Sequence, residues 1–103
     1  MMRERLPNRR RAELLDFAHN GLRYTASVGR FSDGRIAEIF VASNKAGSAA
    51  ADAARDAAIV TSIAPQFGCP ICTLRHALTR ASDGRASGPI GMVLDMVDGG
   101  APS

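Results

Sequence analysis

The first readable pattern is Leu15-Asp16-Phe17, a short alternation of apolar and polar residues that runs into Asn20-Gly21. Alternation of this kind marks a strand with one buried face. Asn-Gly between two such runs is a strong hairpin signal, because both residues tolerate positive φ. The next run puts Leu22, Tyr24, Ala26 and Val28 on one side and Arg23, Thr25 and Ser27 on the other. Ser32-Asp33-Gly34-Arg35 is a second turn signal. Residues 36–42 then read as a third strand, apolar at every position except Glu38. A strand this apolar is expected in the middle of the sheet or covered on both faces. The first half of the chain therefore predicts a three-stranded antiparallel meander.

The period changes at Asn44-Lys45-Ala46-Gly47-Ser48. Ser48 is a good N-cap, and Asp52 sits where a helix dipole favours negative charge. Residues 49–64 are alanine-rich with high helical propensity. Ala50, Ala54, Ala57 and Thr61 form a narrow stripe of small residues, with Ala53 and Ile63 beside it. Pro65 interrupts this helix. It removes a bond to the Thr61 carbonyl and clashes with it, so the helix is expected either to end near Ile63 or to kink. Phe67-Gly68 reads as a last turn with its terminating glycine, and Pro70 suits the start of the next helix. That places Cys69 near an N-cap and Cys72 in a first turn, while Ile71, Leu74 and Leu78 repeat as a core stripe. A last helix is expected over 87–98, with Ser87 as its cap and Ile90, Val93, Leu94 and Val97 as its apolar face.

These elements predict a two-layer α+β fold, the meander followed by two to three helices. The chain has 103 residues, enough for one domain. Its expected extent is 11–98, between a basic arm (1–10) and a flexible tail (99–103). Apolar residues make up 46% and charged residues 22%, the balance of a soluble globular protein. No apolar run is long enough for a membrane helix, and the basic N-terminus has no apolar stretch behind it, so a cytoplasmic protein is expected. The two cysteines are too few for a disulfide scaffold.

The net charge of +3 is concentrated at one end. Removing Arg3, Arg5, Arg9, Arg10, Arg11 and Glu4 from that total leaves −1. The basic character belongs to an arm, which either contacts phosphates or is simply solvated. Aromatic residues are only 5%, and no RNA-binding aromatic pair is present.

Two stretches carry candidate chemistry. In Gly68-Cys69-Pro70-Ile71-Cys72-Thr73-Leu74-Arg75-His76, a helix N-terminus would lower a thiol pKa, so thiol redox chemistry is one reading. Cys69, Cys72 and His76 also lie on consecutive turns as weak zinc ligands, lacking a fourth unless His19 or a second chain supplies it. Thiol oxidoreductases, however, place such a motif after the first strand of a sheet with parallel pairing. As buried small hydrophobes the cysteines would only pack. In the second stretch, Asn44, Lys45, Gly47 and Ser48 precede a helix, where free N–H groups and a positive dipole end suit an anion. The order of a P-loop is absent, so a plain capped turn remains the alternative. No catalytic set of side chains presents itself.

From strand three through the following helices, residues 36–78, the sequence resembles the TSCPD domain. That domain is found near the C-terminus of adenosylcobalamin-dependent ribonucleotide reductases and in short stand-alone proteins. The resemblance rests on a strand ending in a K-x-G-S turn (Lys45 to Ser48), a helix with a small-residue face, a glycine, and a short helix entered through a proline. With the flanking elements it covers roughly residues 11–98. The Thr-Ser-Cys-Pro-Asp signature falls on Ala86-Ser87-Gly88-Pro89-Ile90. Only Ser87 and Pro89 match, so no role of that cysteine carries over.

The resemblance implies a non-catalytic module related to ribonucleotide reductase, since the chain has no room for the barrel and radical site of the reaction. No cofactor is expected. Such a module would bind a nucleotide through Lys45, Gly47 and Ser48 with help from the arm, or dock on a reductase. The alternatives are a homodimer, self-associated through the alanine face or a sheet edge, and a thiol-redox or zinc protein.

Overall fold

The computed structural model describes residues 2–6, 12–45 and 47–98. Pro7, Arg9, Arg10, Arg11, Ala46 and the C-terminal tail lie outside them. Three strands, β1 (Ala12–His19), β2 (Leu22–Arg30) and β3 (Ile36–Ser43), form an antiparallel sheet in the order β1-β2-β3. Three helices follow: α1 (Ala49–Gln66), α2 (Ile71–Ala77) and α3 (Pro89–Asp98). The α+β meander is as expected. β1 begins three residues before the alternation that announces it.

The local signals act as their chemistry dictates. Asn20 and Gly21 have φ of 50° and 79°, which closes β1 onto β2 with the twist a two-residue hairpin requires. Leu22, Tyr24, Ala26 and Val28 turn inward. A turn pattern, Arg-x-Ser-Asp-Gly-Arg, occurs at 30–35 and again at 80–85. It folds the same way both times. Phe31 N–H donates to the Arg35 carbonyl at 2.8 Å, and Ala81 N–H to the Arg85 carbonyl at 2.8 Å. An Asp side chain accepts from the backbone N–H two residues on, at 3.1 Å for Asp33 and 3.0 Å for Asp83. The leading arginine donates to the glycine carbonyl in each.

β3 corrects an expectation. It is an edge strand, not a central one. Its inward positions are apolar because they face the core, and Ile39 is 1% exposed. Its edge is covered by α1. The Ser62 hydroxyl accepts from Ile39 N–H at 2.7 Å and donates to the Ile39 carbonyl at 2.9 Å. Gln66 Nε2 donates to the Ala37 carbonyl at 2.9 Å. Two buried polar side chains on α1 thus occupy backbone groups that a further strand would otherwise take.

The core forms where Ala26, Val28, Ile36 and Ile39 of the sheet meet Ala58 of α1 and Ile90, Val93 and Leu94 of α3. Ile71, Leu74 and Leu78 pack against it from α2 and its end, as their spacing predicts. The other sheet face is open, with Leu14 73% and Phe40 58% exposed.

α1 continues through Pro65 to Gln66, so it does not end near Ile63. At that position the proline forfeits one late donor, and the turn is closed downstream. Gly68 N–H donates to the Pro65 carbonyl at 3.0 Å and Cys69 N–H to the Ala64 carbonyl at 3.0 Å, with Gly68 at φ 96°. This is a Schellman termination. α3 starts at Pro89, and the Gly88 carbonyl accepts from Met92 N–H. The cap position is therefore Gly88, not Ser87.

Candidate functional site

Asn44, Lys45, Gly47 and Ser48 join β3 to α1. Asn44 N–H donates to the Arg23 carbonyl at 3.0 Å, and Lys45 N–H to Ser43 Oγ at 3.1 Å. Gly47 takes φ 82°, which only glycine adopts without strain. Ser48 is the N-cap: its Oγ accepts from Ala51 N–H at 3.1 Å and donates to the Lys45 carbonyl at 2.9 Å. The hydroxyl proton is thus used inside the turn. What remains for an anion is Lys45, which is exposed, and the first N–H groups of α1. Asp52 in the first turn already complements the dipole and opposes a second negative charge.

The arm does not reach this turn from its described part. Arg3 Nε donates to Gln66 Oε1, and Glu4 N–H to the Gln66 carbonyl, both at the far end of α1. Glu4 also pairs with Arg35 at 2.9 Å. The 18 residues of α1 separate the two ends by roughly 27 Å.

Cys69 and Cys72 are free thiols, half-buried and exposed respectively. They are therefore not core hydrophobes. Cys69 precedes the N-cap Pro70, and its backbone N–H completes the stop of α1. That local duty accounts for the Phe-Gly-x-Pro sequence around it. Cys72 and His76 lie one turn apart on the exposed side of α2. His19 is at the other end of the sheet, its Nε2 3.0 Å from the Ser87 carbonyl. Among the described residues no three metal-ligating side chains come together. Arg30 and Arg35, which share a cleft with both cysteines, are each paired with carboxylates.

Two features escape sequence inspection. One is an ion cluster: Asp95 of α3 accepts from Arg75 Nε at 2.8 Å and from Arg80 Nη2 at 2.6 Å. The Arg80 hydrogen bond, more than that of Arg75, lowers the Asp95 pKa from 3.8 to about 2, against the opposing effect of partial burial. The other is apolar surface. Ile59, Ile63 and Phe67 follow one another at one-turn spacing on the outside of α1, 46%, 40% and 39% exposed. Val60 beside them is 65% exposed. Ile59 and Phe40 line one cleft of about 480 Å³ between α1 and β3. Ile59, Val60 and Ile63 are apolar positions in the sequence, but which side of α1 stays open depends on how the helix sits on β3.

The chain is similar to vitamin B12-dependent ribonucleotide reductase of Agrobacterium fabrum, with 38% identity over 77 residues. It is related to a segment of a ribonucleotide reductase. The match covers 75% of this chain and 6% of the reductase. No family model matches the chain, and no solved structure does. Among the described residues no helix is long and apolar enough to cross a membrane.

Proposed function

We propose that this chain is a non-catalytic, TSCPD-like module that docks on a vitamin B12-dependent ribonucleotide reductase. The similarity to 6% of such an enzyme carries the reading. The docking surface is the outside of α1, where Ile59, Ile63 and Phe67 adjoin the Phe40 cleft. Exposed apolar patches of this kind mark interaction sites. Charged groups at Asp52, Arg55 and Asp56 bound the patch toward the start of the helix and fix its register.

The test is sedimentation of the chain with the B12-dependent reductase of the same organism. A complex is expected, and its loss on I59D/I63D. No complex at about 50 µM, well above the dissociation constants of specific pairs, refutes the docking. A dimer of the chain alone that the same double variant dissolves assigns the face to self-association instead.

A second reading keeps the nucleotide at Lys45 and Gly47, with Asn44 and Ser48 shaping the turn. It is favoured only by the exposed lysine over free helix N–H groups. Its mark is a melting temperature that rises with deoxy- or ribonucleotides and ceases to do so in Lys45→Ala.

A further inference from the structure

A second cavity, of about 370 Å³, lies on the opposite side of α1 from the apolar patch. The alanine stripe forms one wall of it. Ala50, Ala53, Ala54 and Ala57 face Leu22 and Tyr24 of the hairpin, and residues 87–91 close the third side. The small residues leave room here, although Ala54 is itself buried. The volume is at the lower end of the range for small-molecule sites. No Asp, Glu, Lys or Arg lines it.

Besides Asn20, Thr79 and Ser87 in its lining, three polar features adjoin this largely apolar space. Tyr24 is only 4% exposed, yet its hydroxyl makes no hydrogen bond with any described residue. No side-chain oxygen or nitrogen sealed from solvent lacks a partner among the described residues. Tyr24 lines the cavity, which puts this buried phenol beside the apolar space. The start of α3 is the second feature. Gly88 at the cap position has no side chain to bond the N–H groups of Ile90 and Gly91, and neither has an acceptor among the described residues. The third is the His19 ring, held at the rim by the Ser87 carbonyl.

We propose that this cavity binds a small carboxylate with an apolar body. The alanine methyls, Leu22 and Ile90 take the body. The carboxylate accepts from the Tyr24 hydroxyl and from the N–H groups of Ile90 and Gly91, at the positive end of α3. A phosphate dianion is a poorer match, because no lysine or arginine is present to offset its second charge. The site is distinct from the docking face and does not depend on it.

The probe is cyclohexanecarboxylate, with cyclohexylmethanol and acetate as the neutral and body-less comparators. Tyr24 is the chain's one tyrosine and there is no tryptophan, so intrinsic fluorescence reports this cavity alone. Amide NMR of Gly88, Ile90 and Gly91 reports the carboxylate end. A saturable change with a dissociation constant of about 1 mM or below is expected for the carboxylate, and weaker binding for both comparators. Ala53→Leu at an exposed position should fill the cavity and abolish the change while leaving the fold intact. Tyr24→Phe, followed by NMR, should weaken binding about three- to tenfold, the loss of one hydrogen bond. No saturable change at about 10 mM overturns the site. So does binding that survives Ala53→Leu. Equal binding of the alcohol overturns the carboxylate.

Discussion

Ser62→Ala tests how the β3 edge of this sheet is held. The Ser62 hydroxyl accepts from Ile39 N–H and donates its single proton to the Ile39 and Ala58 carbonyls, at 2.7, 2.9 and 2.8 Å. Alanine removes all three contacts without adding bulk. The Ala58 carbonyl is within α1 and keeps its helical environment, but Ile39 loses partners for both backbone groups. Ile39 is 1% exposed, so water does not replace them without local opening. An unsatisfied buried group costs roughly 1–3 kcal/mol, and allowing for relaxation we expect about 2–4 kcal/mol for the pair. That is a large share of the roughly 5–15 kcal/mol that stabilises a domain of this kind. In urea titrations the midpoint should fall by about 1–2 M with little change in slope. Hydrogen exchange should show the Ile39 amide losing protection beyond the global change. Ser62→Thr, which keeps the hydroxyl, should retain the bond to Ile39. A loss below about 0.5 kcal/mol in Ser62→Ala, the scale of a surface substitution, would refute the edge-capping account.

Asp95→Asn should cost about 1 kcal/mol at neutral pH. The depressed pKa, about 2 against 3.8, sets an upper limit of about 2.4 kcal/mol, and we reduce it because the side chain is 30% exposed. Because the folded-state pKa is lowered, the stabilisation is present above about pH 4 and is lost as pH falls toward about 2. Wild type and Asp95→Asn should therefore converge in stability over that window, and curves that stay parallel refute the assignment. Gly91→Ala should destabilise even though alanine is the better helix former by up to about 1 kcal/mol. Its Cβ would stand 2.9 Å from the Ala86 Cβ, a side chain with no way to move aside. The melting temperature should drop by roughly 4–8 °C and recover with Ala86→Gly; an unchanged or raised melting temperature contradicts the packing.

Much of the fold was legible because it rests on short-range chemistry. Asn20-Gly21 closes the first hairpin through its own backbone preferences. Arg-x-Ser-Asp-Gly-Arg folds into one hydrogen-bonded turn at two places with different surroundings. Ser48 caps α1, and Phe67-Gly68 ends it. The candidate site was legible only as a segment: Asn44, Lys45, Gly47 and Ser48 are together because they are consecutive. That the Ser48 proton is spent on the Lys45 carbonyl, and that Arg3 and Glu4 are anchored at the opposite end of α1, follows from geometry that no spacing conveys. The cysteines were misjudged for a similar reason. The common behaviour of cysteine as a small buried hydrophobe suggested burial, but the backbone at Cys69 serves a helix terminus, and the two thiols are half-buried and exposed.

The amino-acid sequence by itself determined the elements, their order and the turns between them, because each depends on residues a few positions apart. Tertiary structure alone decided that β3 is an edge. An apolar strand in the sheet centre and one flanked by a helix read alike; only the docking of α1 supplies Ser62 and Gln66 to the backbone of Ile39 and Ala37. It also decided that one side of the alanine stripe borders a cavity and the outer side of α1 presents Ile59, Ile63 and Phe67 to solvent. Helical periodicity fixes which residues share a face. Which face is covered depends on contacts among segments far apart in the chain, formed when the sheet, α1 and α3 close around Ile39, Val93 and Leu94.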